Sequence, residues 1–505
     1  MTTKTYKVTT KHPQYIAKQW LWKSIRDANE GESAIKQGNT MYLPMPAGMS
    51  VIDTSPTTGG IGADNNVLNA VSGKTSHHSE FLLSDPSYHT NPAYMAYKKR
   101  AHFPDNTASS MRGLTGLAKR GSPELELPSE LQYLEKDATK DGKTLQELYN
   151  NVVHELLLQG RITLFADIDD KDGEIKMVPI KAKSLINWKE DKDGLTLSVY
   201  EKAAEEDDEF SHSNGVNYCV SRIGEVDDES GSVYNVTVYD DEDGIIEQTV
   251  APSYKGNTLS YIPAVVCGST EIKTDVDVVP MQGIANTSIQ MYQKSADLSM
   301  SEYMSCNPML TLTGVADGEA PKTVGSTVML VMENDAAKAF YPATDTSALS
   351  HVMAHMDKLE KEAISYGANL LGGGSNKAEA AETLRIRQYQ NGATLLSVVD
   401  TAGKAITQML KIISEWKTGK KSEAEIKYEG NKEFSNIALT AQEQTALVQQ
   451  WMANGISDNT YLWNLHRAGL LKGTVEEEKN ELASQPPKLS MMPAPTKEEP
   501  TKEDE

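Results

Sequence analysis

The chain has 505 residues, room for about three or four domains of ordinary size. It carries 71 Asp and Glu against 49 Lys and Arg, a formal net charge of −22. That balance argues against a dedicated grip on nucleic acid, which is built by neutralising phosphates. Its 3 cysteines, Cys219, Cys267 and Cys306, form no CxxC pair, which excludes a zinc knuckle or a disulfide framework.

Hydrophobic residues make up 39%, enough for a sizeable core. Residues 1–14 are polar and lack the apolar centre of a signal peptide. No apolar run approaches the ~18–20 residues that a bilayer span requires. The expectation is assembly in a reducing compartment, away from membranes.

In chain order, Gln14 to Gly31 reads as a helix with Ile16, Trp20, Trp22 and Ile25 on one side. Pro44, Pro46 and Pro56 break the chain, and residues 59–80 read as a Gly-, Asn- and Ser-rich loop. Helical periodicity returns from Asn91-Pro92 to Lys119, interrupted by Pro104. Leu125 to Pro128 reads as a turn. Leu145 to Gln159 reads as an amphipathic helix that Gly160 stops.

From Arg161 the apolar period changes to two. Strands are expected at Ile162–Ala166, Ile175–Ile180, Leu195–Tyr200, Tyr218–Ile223, Val233–Tyr239 and Ile245–Val250. Asp172-Gly173, Asp193-Gly194 and Asp243-Gly244 supply hairpin turns. Together they predict an antiparallel meander backed by helices, an α+β fold.

The stretch from Pro280 to Trp416 is the most informative. Met281, Ile284, Ala285, Ile289, Tyr292, Ala296, Met300 and Tyr303 fall at helical spacing until Pro308. A helix of ~27 residues spans roughly 40 Å. Residues 309–345 are strand-like. A second helix from Ser347 carries Leu349, Val352, Met356, Leu359, Ala363, Tyr366 and Leu370. Gly372-Gly373-Gly374-Ser375-Asn376-Lys377 follows, and then a third helix to Trp416, with Gly392 and Gly403 as expected bends. Near the C-terminus, Thr440-x-x-Glu443 is a capping box that opens a helix to Met452. Ser457 or Asn459 caps another, and the stretch from Glu476 reads as a disordered tail.

No motif in this stretch carries catalysis. The glycine loop lacks the G-x-x-x-x-G-K-[ST] spacing and follows a helix rather than a strand, which excludes a phosphate loop. His351-x-x-x-His355 sets two imidazoles one helical turn apart, as zinc can use, but no third ligand stands out. Asp240-Asp241-Glu242-Asp243-Gly244 lacks the acids a calcium loop needs at its ends and reads as a hairpin turn. No cofactor and no metal are expected.

Several short patterns follow one another along the chain. They are Tyr97-x-x-Arg100-Ala101-x-Phe103, Arg112-Gly113-Leu114-x-Gly116-Leu117, Leu125-Glu126-Leu127-Pro128 and Gly160-Arg161. Ile186-Asn187-Trp188, Gly256-Asn257-x-Leu259-x-x-Ile262-Pro263, Ala378-Glu379-x-x-x-x-Leu384-Arg385 and Gly455-Ile456-Ser457-x-x-Thr460 follow. With the order helix, β module, helix, glycine loop, long helix, the chain resembles the portal proteins (head-to-tail connectors) of tailed bacteriophages over roughly residues 10–475.

That resemblance implies an α+β portal fold. Residues 1–280 would form a wing, 281–307 and 347–371 two stem helices, and 308–346 a clip. Residues 372–377 would form a tunnel loop, 378–436 a long wing helix and its return, 437–475 a crown, and 476–505 a disordered acidic tail. It implies a ring, typically a dodecamer, at one capsid vertex, through which double-stranded DNA passes during packaging and ejection. Gly372, Gly373, Gly374, Ser375, Asn376 and Lys377 would face the DNA. Leu349, Val352, Met356, Leu359, Ala363 and Tyr366 would line the stem subunit interface. Leu310, Leu312, Val328, Leu330, Phe340 and Tyr341 would belong to the clip, where the terminase large subunit and then the tail adaptor dock. Major capsid and scaffolding proteins are the other implied partners. The rival expectations are a different virion protein, such as a tail adaptor or minor capsid component, and a metal-dependent hydrolase built on His351 and His355.

Overall fold

The computed structural model describes residues 7–46, 92–119, 123–192, 194–204, 215–224, 232–306, 311–313, 338–340, 347–371, 381–420, 425–432, 441–467, 470–471 and 475–484. The chain divides into two units, Met1–Lys432 and Glu433–Glu505.

Helix α1 (Pro13–Glu30) starts where proline's missing N–H costs nothing and where His12 Nδ1 accepts the Gln14 N–H at 3.3 Å. Its inner face is Tyr15, Trp22, Ile25 and Ala28, whereas Ile16 and Trp20 are exposed. The four-residue stripe expected there is therefore two stripes. At 100° per residue, Ile16 and Trp20 share one face, and Trp22 and Ile25 lie across the helix. Helices α2 (Glu32–Gln37), α3 (Pro92–Arg100) and α4 (Asn106–Ala118) follow, the last two separated at Pro104 as expected. Strand β1 (Glu124–Glu126) occupies the predicted turn and pairs with Lys427–Glu429, a partner some 300 residues away that no local pattern reveals.

After the single turn α5 (Tyr133–Lys136) comes α6 (Leu145–Gln159), whose start is a full capping box between Thr144 and Glu147. It stops at Gly160, with φ +69°, in the left-handed region. A Cβ on Gly160 would lie 2.5 Å from the Val278 carbonyl oxygen, so this glycine is also required for close approach. Leu148, Val152, Leu156 and Leu157 of α6 are fully buried, making it a central helix.

The predicted meander is two antiparallel sheets. Strands β2 (Arg161–Ile168), β3 (Ile175–Lys181), β4 (Leu185–Asp191), β5 (Gly194–Ala203), β6 (Val216–Gly224), β7 (Val233–Tyr239), β8 (Ile245–Val250) and β9 (Ala264–Gly268) divide as β3-β2-β9 and β4-β5-β6-β7-β8. Neither β4 nor β9 follows a clean period of two. β9 is a continuous apolar run, Ala264-Val265-Val266-Cys267, largely buried and paired with β2. A strand covered on both faces loses the alternation that betrays it.

Lys176 of β3 is buried, and its ammonium sits 2.6 Å from Asp137, 2.8 Å from Asp169 and 2.8 Å from Asp172. Hydrogen bonds from Lys176 hold the Asp169 and Asp172 carboxyls below the usual carboxylate range, and the carboxylates raise the Lys176 ammonium. A depressed carboxyl contributes stability that is complete above its unfolded value, ~3.9, and is lost as pH falls through the folded value. Thermal stability is therefore expected to fall on acidification below about pH 4–5. Lys176→Met should lower stability at neutral pH and flatten that acid limb. Melts of both proteins from neutral to acid pH check this, and parallel curves would refute it.

The long helices complete the first unit. They are α7 (Gln282–Cys306), α8 (Ser347–Leu371) and α9 (Ala381–Thr418), with the short strands β10 (Thr311–Thr313) and β11 (Lys338–Phe340) between the first two. The second half of α9 is core: Val398, Val399, Ala402, Ile406, Met409, Ile413 and Trp416 are fully buried, against β2, β9 and α6. Gly403 was expected to bend this helix, but α9 is continuous there. A Cβ at Gly403 would lie 3.0 Å from the Tyr428 carbonyl oxygen, so the glycine admits strand β12 (Lys427–Glu429). Gly392 also lies within this continuous helix.

The second unit has α10 (Ala441–Met452), α11 (Asp458–Arg467) and α12 (Val475–Ser484). Ser457 Oγ accepts the Thr460 N–H at 3.2 Å, so Ser457 rather than Asn459 is the cap. The Trp451 and Tyr461 rings stack at 4.6 Å. Helix α12 occupies the first residues of the expected disordered tail. Its glutamates at 476–478 and 481, with Lys479, Leu482 and Ala483, favour helix even where most positions are exposed.

Candidate functional site

Helices α7 and α8 form an antiparallel pair. Near the start of α7, Gly283 faces the Tyr366 ring near the end of α8, and a Cβ on Gly283 would lie 3.0 Å from it. Two turns on, Met291 packs with Leu359 and Ala363. This register brings the end of α7 level with the start of α8, where β10 and β11 pair antiparallel, Thr311 opposite Phe340 and Thr313 opposite Lys338. The chain thus leaves α7, passes through a β module and returns along α8.

Among the described residues, the pair is rooted at the end where α7 begins. Ile284, Ala285, Tyr292 and Ala296 are fully buried, and the Phe103 ring meets Tyr292 edge-on at 6.1 Å. Ser295 Oγ donates to the His102 carbonyl and accepts its N–H, both at 2.8 Å. Gln293 Nε2 donates to the Tyr42 carbonyl at 2.8 Å. Beyond Met300 the cover thins among the described residues. Tyr303 is 45% exposed, Met304 56% and Met353 53%, large apolar surface on two adjacent helices.

The pattern Tyr97-x-x-Arg100-Ala101-x-Phe103 is the bracket that fixes this root. The Tyr97 hydroxyl donates to Asp297 Oδ1 at 2.7 Å, and the Arg100 guanidinium lies 3.8 Å from the centre of the Tyr303 ring. Burial, and then the hydrogen bond to Asp297, raise the Tyr97 hydroxyl well above its ordinary value, so it stays a donor. Ala101 and Phe103 are buried. Three of the other patterns meet partners in the described residues. The Trp188 ring stacks with His12 at 3.9 Å and lies 3.9 Å from the Arg161 guanidinium. The Asn257 carbonyl accepts the Trp416 indole N–H at 3.0 Å.

The stem positions separate into two groups. Leu359 and Ala363 are each 3% exposed and already buried within one chain, against Met291. Leu349, Val352 and Met356 are half-buried, and Tyr366 is 46% exposed while touching Gly283. The helix pair therefore covers one end of the α8 stripe by itself. Among the clip positions, Leu312 lies in β10 and Phe340 in β11, the latter 46% exposed, while Leu310, Val328, Leu330 and Tyr341 lie outside the described residues. Gly372, Gly373, Gly374, Ser375, Asn376 and Lys377 lie outside them too.

Charge on the exposed flank of α8 is nearly balanced: Lys358 and Lys361 stand among Asp357, Glu360 and Glu362, with Lys358 and Glu362 3.9 Å apart. His351 and His355 are both exposed, and no group of three His, Cys, Asp or Glu able to hold a metal occurs among the described residues. No helix among the described residues is long and apolar enough to cross a membrane. Sequence reading missed Gly283 and Arg100 as parts of the pair. The glycine in a first helical turn was the visible signal for one. The aromatic partner of Arg100 lies about 200 residues away in sequence, so no local signal exists for the other.

Residues 280–417, from the start of α7 to the end of α9, match a family model described as a domain of unknown function, DUF4055. No curated protein matches the chain. Among solved structures the chain is similar to one from the neck of an empty gene transfer agent particle computed with C6 symmetry. The identity is 12% and the TM-score 0.39, over 76% of this chain and 90% of that chain. It is also similar to a chain of the virion of a native gene transfer agent particle, at 12% identity and TM-score 0.35, over 76% and 90%. A chain from the neck of the native particle computed with C12 symmetry gives 12% and 0.35, over 70% and 88%.

Proposed function

We propose that this chain is a portal-type head-to-tail connector subunit, which assembles with copies of itself into a ring that conducts double-stranded DNA. The observation that carries the reading is the half-covered helix pair. Its root is packed and hydrogen-bonded, yet Tyr303, Met304 and Met353 stand exposed along the rest. Apolar surface of that kind on adjacent long helices marks a contact with another chain. A head-to-tail contact between identical copies makes a ring where its rotation closes, and the ring is what the family resemblance implies. In such a ring residues 281–307 and 347–371 form the stem, 308–346 the clip that docks terminase and then the tail adaptor, and 372–377 the loop nearest DNA. The acidic balance suits a conduit, since few neutralised phosphates means little friction. On this reading the chain positions other molecules and performs no chemistry.

The mass of the purified full-length chain tests the ring, expected near twelve copies on the family resemblance. A chain that stays monomeric at high concentration, and with capsid or scaffolding protein added, refutes it. Deleting 372–377 is expected to leave the ring assembled and to impair packaging or retention of DNA. Normal packaging and retention by the deletion would remove the loop from the mechanism.

A further inference from the structure

We propose that the groove between α9 and β12 is a binding site for a phosphate-bearing small molecule, either free polyphosphate or a nucleotide. The groove is a cavity of about 400 Å³. That is within the usual range for small-molecule sites, roughly 300–1,000 Å³. Its charged lining is Asp400, Lys404 and Lys411 from α9, Lys427 and Glu429 from β12, and Lys432 just beyond. Four ammonium groups face Asp400 and Glu429 in the lining, and Glu124 just outside it pairs with Lys427 at 3.0 Å, which leaves one positive charge in excess on a chain whose net charge is −22. A cationic pocket on so acidic a protein runs against the overall field, so it concentrates anions only locally.

The lysines are held in place. Asp400 takes Lys404 at 2.5 Å and Lys432 at 2.9 Å, while Glu429 lies 3.6 Å from Lys427 and 3.8 Å from Lys432. Ammonium hydrogen bonds hold the Asp400 carboxyl below the usual carboxylate range, so it stays charged and keeps both lysines oriented. Lys411 makes no ion pair among the described residues and lies two helical turns from Lys404, ~10.5 Å along the axis. That separation suits an anion carrying more than one phosphate.

The wall between the two elements is rigid. Thr407 Oγ1 accepts the Tyr428 N–H at 3.0 Å and donates to its carbonyl at 3.3 Å. Gly403 lets β12 approach α9, and Gly430 lets the chain pass the buried Tyr149, whose hydroxyl a Cβ there would strike. The donors are lysines, compact point charges that phosphate accepts readily. Tyr428, the large aromatic of the lining, is 2% exposed, so the groove offers no aromatic anchor for a docked peptide.

The test is calorimetric titration of the full-length chain with pyrophosphate and, separately, ATP, in magnesium-free buffer at low salt. Saturable binding with a Kd below about 1 mM is expected, weakening as salt is raised. Lys404→Ala with Lys411→Ala should weaken it at least tenfold, and Lys358→Ala on α8 should not change it. The Lys404 side chain is 67% exposed, so its removal leaves the core untouched. Equal affinity for both anions places recognition on the phosphates alone, and markedly tighter ATP binding identifies a nucleotide. The absence of saturable heat, or undiminished binding by the double variant, overturns the proposal. It stands apart from the ring reading: a ring that binds neither anion, or a monomer that binds both, separates the two.

Discussion

Aspartate at position 359 is expected to unfold the α7–α8 pair, whereas aspartate at 349 or 352 is expected to leave the chain folded and stop it assembling. Leu359 is 3% exposed and packs on Met291 and Ala363 inside one chain. A carboxylate there would be buried without a partner, at a cost of several kcal/mol, in the range of about 4–5 kcal/mol that marks the most damaging substitutions. Leu349 and Val352 are half-buried at the other end of α8, near the exposed Tyr303, Met304 and Met353. In a lone chain a charge at either position keeps access to water and costs little. In a ring it would face a neighbouring copy. Circular dichroism melts and native mass measurement distinguish the two classes. Leu359→Asp should lower the melting temperature of the isolated chain, and Leu349→Asp should change only the mass. An unchanged melt for Leu359→Asp would mean that Met291 does not cover it. Full rings from Leu349→Asp and Val352→Asp would remove this end of α8 from the interface.

Trp416→Ala is expected to cost about 3–5 kcal/mol of the first unit's stability, as a large fully buried aromatic does. The Trp416 side chain is 0% exposed, meets the Tyr234 ring edge-on at 6.4 Å and donates its indole N–H to the Asn257 carbonyl at 3.0 Å. It therefore ties the end of α9 to the five-stranded sheet and to the loop before β9. Trp416→Phe keeps much of the contact and loses the hydrogen bond, for an expected loss of about 1–2 kcal/mol. Denaturant unfolding of the dissociated chain reads both values. A loss below about 1 kcal/mol for the alanine variant would show that the site collapses around the deletion.

The sequence showed the helices well because their signals are local. Thr144 with Glu147 and the terminal Gly160 bound α6, and the bounds of α8 follow from its stripe alone. Strands with a partner nearby, such as β7 and β8 around Asp243, were equally visible. β9 was not, because Ala264–Gly268 is paired to β2 about 100 residues earlier and covered on both sides. β1 shows in sequence only as a turn for the same reason, since its partner β12 follows at the end of the unit.

At the candidate site, the order of helix, β module and helix could be read directly, and so could the apolar stripe of α8. Which part of that stripe is spent inside the chain could not. A stripe records only that a face seeks cover. Whether Met291 of the same chain or a neighbouring copy supplies it depends on the distance between helices that meet in space. The sequence by itself determined the long amphipathic elements, their turns and the acidic balance, because periodicity, capping and charge act over a few residues or over the sum. Tertiary structure alone decided that Leu359 is core while Tyr303 and Met353 stay open. It also decided that Gly403 is a place of approach rather than a bend, and that four lysines from α9, β12 and the segment beyond it meet in one groove. Each of these is a contact between residues whose sequence separation carries no local signal.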